Sequence, residues 1–211
     1  FTIMFSRVFL ATIMMLVALL IYDRSLLKIR LRDLWVFLAA SLIGTLGLNL
    51  CYNESISRLT LSLAAVLLGL APVFVLLLAA VFFGEKITLK KFGCMLLAIL
   101  GCTLVSGIFE ETSGMQWSVS GILIGVLSGF FYALYSIFSR IAMNRGYHAL
   151  TITFYCLLLI SAVLIPFADW SSVGTVLEQN PPKYGALMFL HSLCASVLPY
   201  ALYNLALNHM E

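Results

Sequence analysis

Hydrophobic positions along the chain cluster into seven long runs that short polar stretches separate. The runs are Phe1–Tyr22, Leu34–Tyr52, Leu59–Phe83, Phe92–Phe109, Val119–Phe138, Ala149–Ala168 and Tyr184–Leu207. Each run approaches the roughly 20 residues that an α-helix needs to cross the hydrocarbon core of a bilayer. Because lipid cannot hydrogen-bond to backbone amides, apolar runs of this length should be helical. The pattern predicts an all-α, polytopic transmembrane helix bundle with seven spans in this sequence.

The composition supports the same prediction by an independent route. The chain is 63% hydrophobic and 10% charged, whereas soluble domains carry about 25% charged residues. The net charge of +3 is too small to indicate binding to nucleic acid, and the 5 cysteines show no CxxC spacing typical of a metal site. We therefore expect the lipid bilayer as a partner, with no cofactor, no metal and no nucleic acid.

Basic residues alternate between the two ends of the predicted spans. Nine of the Lys and Arg residues fall on one face, and they are Arg24, Lys28, Arg30, Arg32, Lys86, Lys90, Lys91, Arg140 and Arg145. The loops of the other face contain only Arg58 and Lys183. Since Lys and Arg collect in cytoplasmic loops, the sequence predicts a multi-pass plasma-membrane protein whose basic loops are cytoplasmic.

The chain also contains a diverged copy of itself. The segment Phe1-Thr-Ile-Met-Phe-Ser-Arg7 matches Leu150-Thr-Ile-Thr-Phe-Tyr-Cys156 at an offset of 149. The second and seventh spans match at an offset of 151. The matched pairs in those spans include Ser41 with Ser192, Gly44 with Ala195, Thr45 with Ser196, Asn49 with Tyr200, and Tyr52 with Tyr203. Two consecutive spans that match in order at nearly the same offset indicate an internal repeat.

This repeat predicts an inverted topology, because its period covers five spans, an odd number. A copy displaced by five spans enters the membrane from the opposite side, as in many secondary transporters. We predict a ten-helix parent protein of five plus five helices, whose first helix and last two helices lie outside this sequence. Residues 1–108 would then be the end of the first repeat, with four of its helices, and residues 119–211 the start of the second, with three.

The segment Leu63–Ser106 resembles the signature hairpin of EamA-type transporters in the drug/metabolite transporter superfamily. The matching features are a small-residue-rich helix, the element Ala71-Pro72-Val73-Phe74, the turn Gly84-Glu85, and a closing helix with Gly93 and Gly101. Arg7 also matches an arginine common in that family. The resemblance implies a ten-helix carrier with cytoplasmic termini, in a family whose members mostly export amino acids, metabolites or drugs from bacteria. The second copy of the hairpin is not in this sequence.

Polar residues recur at helical spacing on several spans. The second span shows Ser41, Gly44, Thr45, Leu48, Asn49 and Tyr52 on one face, and the fifth shows Gly121, Gly125, Ser128, Tyr132, Tyr135, Ser136 and Ser139. Because hydroxyls and amides are costly in lipid, both faces should point into the protein. The glycines favour close helix packing, whereas the large polar-tipped side chains favour either a cavity lining or packing.

Nine residues are candidates for binding a substrate in a midplane cavity. They share a polar or charged tip within a span and are Arg7, Asn49, Tyr52, Tyr132, Tyr135, Tyr155, His191, Tyr200 and Tyr203. A charged residue within a span is a functional candidate, although Arg7 could instead extend to water at the outer interface. No acidic residue lies in mid-span and intramembrane cations do not cluster. A neutral or zwitterionic substrate is therefore favoured over a phosphorylated one.

These features together predict a secondary transporter that works by alternating access and, by resemblance, exports its substrate. The substrate would be a small neutral or zwitterionic metabolite such as an amino acid, or a drug-like amphipathic compound. An enzyme is not expected, since the sequence has no HExxH, no paired mid-span Asp and no GxSxG motif. A non-transporting membrane scaffold or assembly protein is the alternative, and a homodimer is left open.

Overall fold

The computed structural model describes residues 2–84, 86, 88–105, 118–167 and 181–209, and within these ranges it contains helices and no strands. Seven long helices follow one another within these described ranges. They are α1 (Thr2–Tyr22), α2 (Leu31–Arg58), α3 (Leu61–Phe83), α4 (Leu89–Val105), α5 (Val119–Asn144), α6 (Ala149–Phe167) and α7 (181–209). Each predicted run overlaps one of these helices. The prediction of an all-α polytopic bundle is confirmed.

Three of the long helices are composite. The α2 helix runs from a 3₁₀ turn at Leu31–Asp33 through Leu34–Leu38 and a π-helical segment at Ala39–Leu46 to Gly47–Arg58. The α7 helix contains Pro181–Ser192, a π-helical segment at Leu193–Val197, and Leu198–His209. The α6 helix continues from Ala149–Leu164 into a 3₁₀ turn at Ile165–Phe167, and a further 3₁₀ turn at Arg24–Leu27 lies between α1 and α2.

Five helical stretches in the described part of the chain are long and apolar enough to cross a membrane. They are Leu31–Arg58, Leu61–Phe83, Val119–Asn144, Ala149–Phe167 and Pro182–Tyr203. The stretch Phe5–Ile21 is apolar but shorter. The predicted run Phe92–Phe109 begins in α4 and extends beyond the described residues. The chain is a multi-pass membrane protein.

Helix ends differ from the ends of the apolar runs. The α5 helix continues past Phe138 to Asn144, so the expectation that Arg140 lies in a loop is wrong. An apolar run marks the hydrocarbon layer, whereas a helix continues until a local signal ends it. Here the signals are Gly146, at φ 86°, and His148, whose Nδ1 accepts a hydrogen bond from the Leu150 N–H at the start of α6.

The α3 helix is interrupted and then ends on a glycine. Its two segments are Leu61–Leu68 and Ala71–Phe83, and Pro72 lies in the first turn of the second segment. A proline is tolerated there because the first N–H groups of a helix have no intrahelical partner. Gly84, at φ 65°, follows the last residue in the left-handed conformation that glycine adopts most easily. Glu85 lies outside the described residues, so its turn role stays a prediction.

The chain divides into two compact units. The first unit comprises residues 1–41 and 139–211, and the second comprises residues 42–138. The α6 helix is the centre of the first unit and packs against α1 and α7. Its buried residues are Ala149, Thr151, Ile152, Thr153, Phe154, Cys156, Leu157, Ile160, Ser161 and Leu164. The second unit has an apolar cluster of Leu59, Leu63 and Leu67, against which Leu70, Ile122 and Val126 pack.

Candidate functional site

The polar face of α2 points into the protein, as the sequence predicts. Ser41, Gly44, Thr45 and Leu48 are buried, and Asn49 and Tyr52 are half-buried. The Asn49 amide donates to the Thr45 carbonyl oxygen at 2.7 Å, one helical turn earlier. Asn49 and Tyr52 are therefore the members of this face whose side chains keep some accessible surface.

The glycines of α5 allow close packing within the second unit. A β-carbon built on Gly125 would lie 2.6 Å from Leu67 Cδ1 and 2.8 Å from Ser55 Oγ. One built on Gly129 would lie 3.3 Å from the Leu67 carbonyl oxygen. Ser55 also donates to the Gly121 carbonyl oxygen at 3.2 Å. The prediction that these glycines serve helix packing is confirmed.

The two tyrosines of the same α5 face differ in their surroundings. Tyr135 is fully buried, and its backbone lies against Gly44. Tyr132 is half-buried, and the two tyrosine ring centroids are 6.4 Å apart. The second unit thus offers Asn49, Tyr52 and Tyr132 as partly accessible polar groups, and Tyr135 is buried on the α5 face that also carries Tyr132.

The first unit holds the other five candidates, four of them on α1 and α7. Arg7 is half-buried, and its carbonyl oxygen accepts a hydrogen bond from Ser192 Oγ at 2.6 Å. Tyr200 and Tyr203 are half-buried, whereas His191 is exposed. The Ser192 bond ties α7 to α1 at the Arg7 turn, which places the Arg7 backbone beside the polar face of α7.

Tyr155, the fifth candidate in this unit, contacts the chain between α1 and α2. Its hydroxyl donates to the Leu27 carbonyl oxygen at 2.6 Å. Thr151, one turn earlier on α6, donates to the Leu26 carbonyl oxygen at 2.9 Å. Sequence patterns did not predict this role, because the acceptors are main-chain atoms of an irregular segment.

A polar cluster that the sequence analysis missed lies at the start of α2. The buried Asp33 carboxylate accepts hydrogen bonds from Arg145 and, at 2.8 Å, from the Tyr147 hydroxyl. Burial raises the pKa of the Tyr147 phenol, which keeps the hydroxyl protonated and able to donate. The Arg145 guanidinium also lies over the Trp35 ring at 5.1 Å. The sequence signal for this cluster was Asp33, an acidic residue that directly follows a basic stretch.

Two buried serines of the first unit stand out by their hydroxyls. Ser139 Oγ on α5 and Ser196 Oγ on α7 have no hydrogen-bond partner within the described residues. Buried hydroxyls normally have a partner, which can be a water or a ligand. Ser196 lies in the π-helical segment of α7, and π segments are frequent at functional sites. The sequence places Ser139 on the polar face of the fifth span and matches Ser196 with Thr45, but it does not show that their hydroxyls are buried.

The described residues contain no group of three or more His, Cys, Asp and Glu side chains placed to hold a metal ion. The nine candidate residues offer hydrogen-bond donors, hydrogen-bond acceptors and one guanidinium, with one set in each unit. Such groups can bind a small polar molecule without forming a covalent bond to it.

Comparison with known proteins identifies a family whose sequence model matches this chain. The sequence model of the EamA-like transporter family matches residues 1–107 and 119–211. A pseudopaline exporter of Pseudomonas aeruginosa is 29% identical over 153 residues, covering 72% of this chain and 51% of the exporter. An uncharacterized transporter of Bacillus subtilis is 32% identical over 130 residues, covering 60% of this chain and 40% of that protein.

A third relative matches the chain from end to end. It is an uncharacterized transporter of Archaeoglobus fulgidus, 29% identical over 216 aligned positions, which cover 100% of this chain and 71% of that protein. The chain spans about half the length of the Pseudomonas exporter and less of the Bacillus protein. No solved structure matches the chain.

Proposed function

The chain belongs to the EamA-like transporter family, and from this premise we propose that it is part of a secondary transporter that works by alternating access. The observation that carries the proposal is the buried polar face of α2, which ends in the half-buried Asn49 and Tyr52. A helix that only anchors a protein in lipid has no need for a row of inward hydroxyl and amide groups. The relatives' names support transport over catalysis.

In the second unit, we assign substrate contacts to Asn49, Tyr52 and Tyr132. Each has a polar tip and a side chain that is only half-buried. The Asn49 amide nitrogen donates to the Thr45 carbonyl oxygen, which orients the side chain on the polar face of α2. Tyr135 would support Tyr132 by packing, since it is fully buried.

In the first unit, we assign substrate contacts to Arg7, Tyr200 and Tyr203. The Arg7 guanidinium is the permanent cation of α1 and can bind a substrate carboxylate in the bidentate geometry that arginine favours. His191 is exposed, so a role for it requires a substrate path along that side of α7. Tyr155 would affect the site indirectly, through the hydrogen bond from its hydroxyl to the Leu27 carbonyl oxygen.

The substrate class follows from the charges of the spans. A single span arginine with no mid-span acid suits one carboxylate or a zwitterion, whereas phosphate groups need several cations. We therefore propose a small neutral or zwitterionic metabolite such as an amino acid, or a drug-like amphipathic compound. Export is the proposed direction, and the relative named as a pseudopaline exporter supports it.

The inverted repeat remains part of this proposal. The offset of 151 places residues 42–46, within the π-helical segment of α2, onto Leu193–Val197, the π-helical segment of α7. Shared irregularity at matched positions supports a repeat of residues 1–108 by residues 119–211. We also propose a plasma-membrane location with the basic loops in the cytoplasm.

The proposal is tested first by ligand binding, which needs no assumption about direction. Thermal unfolding of the purified full-length protein is recorded with neutral and zwitterionic amino acids and with sugar phosphates. Transport of a zwitterion predicts a concentration-dependent rise in melting temperature with the first set and no rise with the second. The reverse result would remove the proposed substrate class. Sizing in detergent tests, in the same preparation, whether the protein is a homodimer.

A non-transporting scaffold or assembly protein is the competing function. The exposed apolar faces of α4 and α7 fit lipid contact equally well in a scaffold and in a carrier. The buried polar face of α2 is what favours the carrier. A scaffold would retain its binding partner when Asn49 and Tyr132 are replaced by alanine, whereas a carrier would lose its substrate.

A further inference from the structure

The segment from the end of α1 to the first turn of α2 presents a dense group of positive charge. Arg24, Lys28, Arg30 and Arg32 are all exposed, and they lie within nine consecutive residues. The segment directly follows the end of α1 at Tyr22 and directly precedes the apolar part of α2. The side chains therefore emerge where two membrane helices leave the bilayer.

The backbone of this segment is fixed by side chains from the α5–α6 turn and from α6. Thr151 and Tyr155 donate to the carbonyl oxygens of Leu26 and Leu27, at 2.9 and 2.6 Å. The Tyr147 hydroxyl accepts from the Arg30 backbone N–H at 3.1 Å. Thr151 and Tyr155 are four residues apart, which places them on one face of α6, and Tyr147 lies just before that helix. Because the main chain is held at Leu26, Leu27 and Arg30, the backbone positions from which the cations project are fixed.

The acidic residues of the segment do not cancel this charge. The Asp33 carboxylate is buried against Arg145 and Tyr147. The Asp23 carboxylate accepts from the Ser25 N–H at 2.8 Å and the Ser25 hydroxyl at 2.7 Å, in its own turn. The segment thus has four exposed cations and one exposed carboxylate, so its surface is strongly positive.

Apolar and aromatic groups lie among the same cations. Leu31 is 86% exposed and Trp35 is 50% exposed, although both belong to the start of a membrane helix. Tryptophan is enriched at membrane–water interfaces, where one side of the ring contacts acyl chains and the other contacts headgroups. The Arg145 guanidinium, which is paired with Asp33, lies over the Trp35 ring.

We infer that this basic surface, defined by Arg24, Lys28, Arg30, Arg32 and Trp35, binds anionic phospholipid headgroups. The inference is independent of transport and would hold for a scaffold as well. Clusters of Lys and Arg beside a membrane helix attract anionic lipid, with an effect of about fivefold in affinity per residue. A soluble polyanion would match the charges but would leave Leu31 and Trp35 in water. A phospholipid matches both.

Quenching of Trp35 by brominated lipids tests the inference directly. The full-length protein, with Trp117 and Trp170 replaced by phenylalanine and any further tryptophan treated likewise, is reconstituted in mixtures of phosphatidylcholine and phosphatidylglycerol. Bromine is carried by one lipid at a time. We expect the anionic lipid to quench Trp35 at a several-fold lower mole fraction than the zwitterionic lipid. Equal quenching by the two lipids would overturn the inference.

Charge variants show which cations produce the preference for anionic lipid. Neutralising the surface with Arg24→Gln, Lys28→Gln, Arg30→Gln and Arg32→Gln should remove the preference. The matched control, Lys86→Gln with Lys90→Gln and Lys91→Gln, removes exposed cations of another loop and should keep it. A preference lost only in the control would contradict the assignment. The pair Lys28→Gln and Arg32→Gln serves if the fourfold variant does not fold, and should give an intermediate preference.

Native mass spectrometry of the unaltered protein separates lipid from free anion. We expect retained phosphatidylglycerol that inorganic phosphate does not displace. The fourfold variant should lack this lipid, and the Lys28 and Arg32 pair should retain less of it than the unaltered protein. Displacement by millimolar phosphate would assign the surface to a soluble anion and overturn the lipid inference.

Discussion

Gly44 lies so close to Tyr135 that a β-carbon on Gly44 would stand 2.7 Å from the Tyr135 Cα atom and 2.8 Å from its Cβ atom. Both atoms are part of the α5 helix, in which Tyr135 is fully buried. The α2 and α5 helices therefore meet at van der Waals distance in the second unit, on the polar face of each. The half-buried Asn49 and Tyr132 are placed by this contact.

Gly44→Ala should destabilise the protein, because the added methyl group meets backbone and not a flexible side chain. Overpacking of this kind costs about 1–3 kcal/mol. The measurement is the melting temperature and folded yield of the purified variant in detergent. Gly101→Ala is the matched control, since a β-carbon there would have nothing within 4 Å in the described structure. A melting temperature unchanged by Gly44→Ala would show that α2 and α5 do not approach this closely.

Asp33→Asn and Arg145→Gln should each reduce stability, because each removes one partner of the ion pair. The asparagine weakens the bond from Tyr147 and leaves Arg145 without a carboxylate partner, whereas glutamine at 145 leaves the buried Asp33 carboxylate with Tyr147 as its donor. Removing one member of a partly buried pair leaves the other charge uncompensated. Thermal unfolding of the two single variants and of the double variant measures the coupling. Strictly additive effects would contradict a direct Asp33–Arg145 interaction.

Tyr155→Phe should lower stability and leave substrate affinity nearly unchanged. The variant removes the hydroxyl that donates to Leu27 and leaves a carbonyl oxygen unsatisfied, at a cost of about 1–3 kcal/mol. Unfolding and binding are measured on the same preparation. Tyr184→Phe is the control, because no hydrogen bond of its hydroxyl occurs within the described part of the chain. Loss of substrate binding with unchanged stability would instead indicate that Tyr155 contacts the substrate.

Cysteine labelling should place the basic segments in the cytoplasm. In a variant without native cysteines, Ser57→Cys at the exposed end of α2 should react with an impermeant maleimide in intact cells. Lys28→Cys should react only after the membrane is permeabilised. Labelling of both positions from the same side would contradict a span between them. The opposite pattern would reverse the proposed orientation.

The helices could be predicted from sequence because bilayer thickness fixes the length of an apolar run. The inward faces of α2 and α5 could also be predicted, since their polar residues share helical periodicity. The end of α5 could not, because Arg140 is hydrophilic and still lies in the helix. There, local backbone signals at Gly146 and His148 decide where the helix stops.

The site was less accessible to sequence reasoning than the fold. Tyr132 and Tyr135 share one face, and only packing against Gly44 decides that Tyr135 is the buried one. Tyr155 bonds to a main-chain carbonyl 128 residues away in sequence, which no side-chain pattern records. The π-helical segment around Ser196 was also invisible, since its sequence is compatible with an ordinary α-helix.

Substrate counterflow tests the central claim most directly. The full-length protein is reconstituted in liposomes loaded with an unlabelled amino acid or small amphipathic metabolite, and uptake of the labelled compound is recorded. We predict saturable exchange that falls at least about tenfold in Asn49→Ala and Tyr132→Ala, the loss expected when a buried polar contact to substrate is removed. Asn53→Ala, an exposed position on the same helix, should exchange normally. Absence of flux for every compound, from protein shown to be folded, would contradict a carrier and favour the scaffold.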